Sequence, residues 1–529
     1  MTSPLQGGDP RFESGKAQIA AYFLTTMTKD NVNNSKIKTG IYGFDDLTLG
    51  GLPEKRCALV KGSIGTGKTV FSIEYIYRGI SVFNENGIYV TFEESPDQIK
   101  KNSMSFGWDL QKLEDEGKLK IIDARDVWIT SIEDESTASG LGHLLNQIKK
   151  EAGRINAKRI AIDTMYGMFV ESKFVILLRR ELHKILNALN GMECTSILTM
   201  GNINTVPGVV DYSQLLETLV DCVIILREKE DGIYPGREIK ILKMRGNDYI
   251  AGAQPMIITS NGIAVFPLMP DLYDMPAKDA GRKESPYIES PKVISSLTKK
   301  IPRGYNILIA GETGTNAGNI ARQMLYDGLI KGESCMLVNT HESSYFVKEF
   351  MKNFGMDVEK YLKNNKMFFF DDYVKSGSDE RIINESFNNP LILGYLMDRW
   401  LMDNKPENFR WAINSITTMF AVNDEPGQSS ANIQRFLYDR VRKTRRFMGI
   451  GVYTINKDAH QPNLINMIEN MMDMVIELKL VEEKGVQHSY IRILKARGTK
   501  ANTSWHQYNI AEGKGIILAD DIYSALKSV

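Results

Sequence analysis

Cysteine is scarce in this chain: four in 529 residues, at Cys57, Cys194, Cys222 and Cys335. They are scattered, with no CxxC pair and no metal-ligand spacing, which excludes a disulfide framework and a cysteine-held zinc module. Each lies in an apolar stretch, where a thiol acts as a small core residue kept reduced in the cytoplasm. Net charge is missing altogether, because 65 Lys and Arg balance 65 Asp and Glu. That removes the global electrostatic argument for a dedicated nucleic-acid binder and leaves only a local basic channel to consider. No apolar run is long enough to span a bilayer, and the start, MTSPLQGGDPRFESGK, lacks the apolar core of a secretory signal. The expectation is a soluble cytoplasmic chain with no membrane partner.

What the chain does have is size and repetition. A length of 529 residues exceeds one ordinary core, and 43% apolar with 25% charged residues is the balance of a globular protein. CALVKGSIGTGKTVFSIEYIYRGI (57–80) lines up with NILIAGETGTNAGNIARQMLYDGL (306–329), and VTFEES (90–95) with VNTHES (338–343). SFGWDLQKLEDEGKLKIIDA (105–124) matches NFGMDVEKYLKNNKMFFFDD (353–372), and RIAIDT (159–164) matches RWAINS (410–415). LVDCVIIL (219–226) corresponds to MMDMVIEL (471–478), and LKMRG (242–246) to LKARG (494–498). The landmarks keep one order at a spacing of roughly 250 residues, the mark of a tandem duplication. The expected division is a flexible extension over 1–35, a first domain over 36–266, a Pro- and charge-rich linker over 267–291 and a second domain over 292–529. Within each copy, short β-branched runs alternate with helical stretches such as LLRRELHKILNAL, which predicts a mostly parallel sheet flanked by helices.

GSIGTGKT (Gly62 to Thr69) fits the phosphate-loop pattern GxxxxGK[ST] in its required setting, an apolar strand before and a helix after. The expected nucleotide contacts are Gly62, Ser63, Gly65, Thr66, Gly67, Lys68 and Thr69. Backbone N–H groups of the loop surround the phosphates, Lys68 reaches the β- and γ-phosphates, and the Thr69 hydroxyl holds Mg2+. Asp163 ends the apolar strand RIAID, at the sheet edge where α/β sites open, and suits a second role toward Mg2+. Glu93 and Glu94 follow the strand IYVTF, and one of them is placed to polarise the water that attacks the γ-phosphate. Which of the two does so stays open on sequence alone.

GFDDLTLGGLPEKRCALVKGSIGTGKT (43–69), VTFEES and LKMRG together resemble the KaiC branch of the RecA-like P-loop ATPases, over nearly the whole chain from about Lys36. The resemblance implies two tandem RecA-like domains and a homohexameric double ring with ATP held between adjacent subunits. Carried over by position, it makes Lys68 and Thr69 phosphate and Mg2+ contacts, Asp163 the Walker-B acid, and Glu93 and Glu94 the catalytic pair. It also implies that Lys243 and Arg245 reach the γ-phosphate of the neighbouring subunit, so that hydrolysis depends on assembly.

In the second copy Gly67, Lys68 and Thr69 give way to Asn316, Ala317 and Gly318. Asp163 becomes Asn414 and Glu93 becomes His341, leaving Glu342 alone. A domain without the ammonium, the metal-binding hydroxyl and the Walker-B carboxylate is expected not to hydrolyse Mg-ATP. Clock members of the family phosphorylate a Ser-Thr pair in their second domain. Those positions fall on Glu469 and Asn470 here, so no autokinase cycle is expected. The Met cluster of Met467, Met471, Met472 and Met474 reads as packing. The chain is thus read as an ATPase that switches with nucleotide state and engages an unidentified regulatory protein. The alternative, a recombinase- or helicase-like motor driven by nucleic acid, is not favoured.

Overall fold

The computed structural model describes residues 36–125, 137–163, 175–201, 212–229, 236–268, 287–371, 389–422, 429–511 and 513–519. The expected N-terminal extension and residues 269–286 of the expected linker lie outside them. Contacts divide the chain into two compact units, Met1–Pro270 and Asp271–Val529.

The first unit is built on strands β1 (Lys36–Ile37), β2 (Leu52–Pro53), β3 (Cys57–Gly62), β4 (Gly87–Thr91), β5 (Leu119–Asp123), β6 (Arg159–Asp163), β7 (Thr195–Gly201), β8 (Cys222–Lys229), β9 (Gly236–Met244), β10 (Ala253–Thr259) and β11 (Gly262–Val265). Nine of them form one sheet in the order β11-β10-β9-β8-β3-β7-β6-β4-β5. From β8 to β5 all neighbours pair in parallel, whereas β9, β10 and β11 extend the sheet antiparallel. Burial follows this division. GIYVT of β4 and RIAID of β6 are buried throughout, as strands covered on both faces must be, while GREIKILKM of β9 mixes buried and exposed positions. Alternate side chains feed two cores: Val60 joins Phe71, Tyr75 and Ile76 beneath helix α1 (Lys68–Phe83), and Leu59 joins Val90, Ile148 and Leu198 on the other face.

The second unit carries β12 (Tyr287–Glu289), β13 (Lys300–Pro302), β14 (Asn306–Gly311), β15 (Ser334–Asn339), β16 (Met367–Phe369), β17 (Phe409–Asn414), β18 (Ile450–Asn456), β19 (Met474–Glu483), β20 (Val486–Ala496), β21 (His506–Ala511) and β22 (Gly515–Leu518). Its sheet order, β16-β15-β17-β18-β14-β19-β20-β21-β22, is that of the first unit strand for strand. The tandem α/β architecture read from the repeats is therefore present in both halves.

A buried arginine fastens the loop-bearing helix to the sheet in each unit. Arg159, at the start of β6, donates to Glu85 at 2.7 Å, the Tyr75 carbonyl at 3.0 Å and the Lys38 carbonyl at 2.6 Å. Arg410, at the start of β17, donates to Glu333 at 2.6 Å and to the Met324 carbonyl at 2.8 Å. Gly79 and Gly328 make room: a Cβ would lie 2.3 Å from Arg159 Cδ or 2.6 Å from Arg410 Nε. Fully buried guanidinium groups persist only with such partners. Nothing local in RIAID or RWAIN marks these arginines as latches.

Candidate active site

β3 ends at Gly62, and the chain turns before α1 begins at Lys68. Gly62 is demanded by contact, since a Cβ there would lie 2.5 Å from Thr66 Oγ1 and 2.7 Å from the Leu226 carbonyl oxygen. Gly67 is demanded by conformation, with φ at 99°, and by the Ile258 side chain 2.8 Å from where its Cβ would be. The Thr66 hydroxyl closes the turn by donating to the Ser63 carbonyl at 2.8 Å, and the Lys68 ammonium donates to the same oxygen at 2.8 Å. The result is a helix N-terminus, with its unpaired N–H groups, facing an open sheet edge beside a cation.

The acids reach that edge by strand register. Thr91 pairs with Asp163 across β4 and β6, so the loop after β4 and the end of β6 emerge side by side. Asp163 is 8% exposed. Its Oδ2 accepts the Tyr89 hydroxyl at 2.9 Å, and its Oδ1 accepts the Thr199 hydroxyl. Burial lowers the Lys68 ammonium's pKa, while Asp163 and Glu93 pull it back up. Glu93 is shifted up by burial and by the Asp163 charge, against Lys68. Lys68, Asp163 and Glu93 are therefore one electrostatic group. Glu94 is engaged elsewhere: its carboxylate accepts Asn102 Nδ2 at 2.9 Å, and its carbonyl accepts the Thr91 hydroxyl at 2.7 Å. The Thr69 hydroxyl and the Asp163 carboxylate are hard oxygen donors, suited to Mg2+, which takes few protein ligands and completes its shell with phosphate and water.

Lys243 and Arg245 do not join this group. β9 runs antiparallel to β8, pairing Lys243 with Val223 and Met244 with Cys222, and Cys222 is level with Ala58 near the start of β3. The two cations thus sit at the amino edge of the sheet, whereas the loop leaves its carboxyl edge. A strand of six residues separates those edges, roughly 16 Å at the usual rise. In the chain itself they cap helix α2 (Tyr212–Leu219): Lys243 donates to the Glu217 carbonyl at 2.6 Å and Arg245 to the Thr218 carbonyl at 2.7 Å.

The second unit keeps the shape of the loop and loses its chemistry. Asn316 takes the left-handed conformation of Gly67 with φ at 58° and precedes helix α3 (Ala317–Ile330). The Thr315 hydroxyl donates to the Glu312 carbonyl at 2.7 Å, as Thr66 does to Ser63. Where the acid stood, Asn414 donates to Asn339 at 2.8 Å and accepts the Thr454 hydroxyl at 2.8 Å. Glu342, the surviving carboxylate, is ion-paired with the buried Arg322, and Arg322 also donates to Asn319 at 3.0 Å. In the first unit Arg322 and Asn319 correspond to the apolar Ile73 and Val70. These two apolar-to-polar changes on the helix after the loop are the signal in the sequence for this pair. His341 is exposed.

Elsewhere in this unit, Lys495 and Arg497 cap helix α6 (Pro462–Met471) through the carbonyls of Glu469 and Asn470, at 2.7 and 2.8 Å, repeating the first-unit arrangement. The Glu469 side chain is only 17% exposed and lies 3.7 Å from Lys457, so it belongs to an ion-pair cluster rather than to the open surface. Met472 and Met474 are fully buried, as packing residues are.

Comparison with known proteins bears on the family. A family model described as the KaiC ATPase matches residues 37–269 and again residues 293–522. The chain is 31% identical over 504 residues to the circadian clock oscillator protein KaiC of Synechococcus elongatus, covering 92% of this chain and 89% of that one. It is 30% identical over 489 residues to the same-named protein of Thermostichus vulcanus, covering 90% and 87%. With its namesake in a Nostoc species it shares 30% identity over 486 residues, covering 90% and 87%.

Proposed function

Since the chain belongs to the KaiC family of ATPases, we propose that its first unit hydrolyses Mg-ATP between adjacent subunits of a homohexameric ring while its second unit does not hydrolyse. Lys68 and the loop N–H groups hold the phosphates, and Thr69 and Asp163 hold Mg2+, whose charge offsets that developing on the transferred phosphoryl group. Glu93 is the base: of the two glutamates it shares the field of Lys68 and Asp163, and its raised pKa suits proton acceptance from water. Glu94 positions the loop through Asn102 and Thr91.

One observation carries the reading. Loop and acids lie at one edge of the sheet and the Lys243–Arg245 pair at the other. A phosphate on Lys68 can meet an Arg245 only from a second copy. In the second unit the Arg322–Glu342 pair supports the absence of hydrolysis, because the remaining carboxylate is already neutralised by an internal cation. The protein would act in the cytoplasm as a nucleotide-dependent switch or scaffold for a regulatory protein, without autophosphorylation.

Native mass measurement with and without ATP, together with turnover, tests this. Assembly should require ATP, and Lys68→Ala and Arg245→Ala should each be inactive. Mixing the two inactive variants should restore turnover by forming sites that draw Lys68 from one subunit and Arg245 from another. Failure to restore it sinks the shared site. Turnover driven by single-stranded DNA, with steep salt dependence, would favour the nucleic-acid motor instead.

A further inference from the structure

Tyr89 is a polar residue sealed inside a parallel strand. It is 2% exposed, flanked on β4 by Ile88 and Val90, yet its hydroxyl lies 2.9 Å from Asp163 Oδ2 on the adjacent strand β6. Thr199 supplies the matching donor to Oδ1 from β7 on the other side. Each oxygen of the acid is thus gripped by a hydroxyl from a different strand. The second unit serves as an internal control. There Asn414 replaces the acid and Leu337 replaces Tyr89, while Thr454 persists and donates to Asn414 at 2.8 Å. Leu337 is 1% exposed in a strand of the same pairing, so the sheet has no need of a phenol at this position. The phenol is gone where the carboxylate is gone.

We infer that Tyr89 is a positioning residue of the metal site: its hydroxyl fixes the rotation of the Asp163 carboxylate and so determines which lone pairs face the cation. This rests on the Mg-ATP reading of the first unit. Loss of such an outer hydrogen bond lowers metal affinity by about tenfold or more in comparable sites.

The test uses the full chain and Tyr89→Phe, with Mn2+ as the probe. Electron paramagnetic resonance counts free Mn2+ in the presence of a non-hydrolysable ATP analogue, and analogue binding is measured separately in EDTA. The expected result is Mn2+ affinity about tenfold weaker with metal-free analogue binding unchanged, alongside a modest fall in Tm with the cooperative unfolding transition retained. Tyr89→Leu, which installs the second unit's residue, should weaken Mn2+ binding alike while lowering Tm further, so a Mn2+ loss common to both variants tracks the hydroxyl rather than stability. Unchanged or tighter Mn2+ binding in both variants overturns the inference. So does a parallel loss of metal-free binding, which would make the phenol a support of the loop's fold. Failure of the unsubstituted protein to bind Mn2+ with the analogue would overturn the ATPase reading itself.

Discussion

The two units share a sheet order, a loop shape, a buried arginine latch and a Lys-Arg cap on the corresponding helix. They differ in the few side chains that could hold a triphosphate and its metal. The shape of a phosphate loop and its chemistry are therefore separable. Shape depends on a residue tolerant of positive φ at position 67 or 316 and on a threonine hydroxyl closing the turn. Chemistry depends on an ammonium, a hydroxyl and an acid, and the loop of the second unit keeps its turn without them. Once they are lost, the vacated surroundings become an ordinary buried polar network of Arg322, Glu342, Asn339 and Asn414.

Among the described residues, the second unit also buries more charge. Arg440 on helix α5 (Ser429–Arg446) lies 2.7 Å from Asp398 on helix α4 (Pro390–Asn404), and Lys443 lies 2.8 Å from Asp439 while also contacting Asp398. At the same offset from the following strand, the first unit has Ile185 and Ala188. The same helix position is thus filled by an apolar contact in one half and a buried ion cluster in the other. Both solutions satisfy packing, but the second is fragile to loss of any one member.

Four experiments would break or sharpen this contrast. The largest effect is expected from Lys68→Ala, which should lower ATP turnover by about a hundredfold or more, read by phosphate release. Residual turnover traced to the Ala317 loop would end the division of labour between the halves. Next, Asp398→Asn leaves two buried cations short of a partner and should destabilise the second unit by about 3 kcal/mol, seen as a shifted denaturant transition. A loss below about 0.5 kcal/mol would show the cluster to be hydrated rather than buried.

A third experiment attempts repair. Asn316→Gly, Ala317→Lys and Gly318→Thr together, in a Lys68→Ala background, should restore no turnover. The acid is still absent, Glu342 is still paired, and a Cβ at position 318 would meet the Asn414 carboxamide at 3.0 Å. Restored hydrolysis would mean that the loop alone had been lacking.

The smallest effect concerns Glu74 on α1, which accepts the Ile263 amide at 2.7 Å and ties the helix to the β10–β11 hairpin. Burial raises its pKa to about 7, outweighing the Arg78 charge. The neutral form is favoured when folded, so stability is full below the unfolded value near 4.5 and falls as pH rises toward about 7. The second unit does the same work with Gln323, which accepts the Ile516 amide at 3.0 Å and does not titrate. Glu74→Gln should flatten the stability of the first unit between pH 5 and 7, a difference of a few degrees in Tm. An unchanged pH slope would place the titration elsewhere.

Much of this was legible in the chain. The repeats, the buried strands CALVKG, GIYVT and RIAID, and the loop GSIGTGKT are local patterns. The consequence of replacing Lys68 by Ala317 or Asp163 by Asn414 needs only the chemistry of the side chains. The arginine latch was less accessible. Arg159 and Arg410 stand in apolar strands, but their partners Glu85 and Glu333 are more than seventy residues away, and nothing local marks the pairing. Arg322 is hard to read for a related reason: its meaning depends on Glu342, which the loop after β15 brings back to the helix.

By itself the sequence determined that one α/β unit was duplicated and that the set of phosphate- and metal-binding groups is complete only in the first copy, because glycine spacing, burial pattern and side-chain type are properties of the chain alone. Tertiary structure decided the rest. It turned Glu93 toward Lys68 and Glu94 toward Asn102, put Lys243 and Arg245 at the far edge of the sheet, set Tyr89 against Asp163 and closed Arg322 on Glu342. Strand register and side-chain direction arise from pairing between distant segments, and no local pattern encodes which distant segment will arrive.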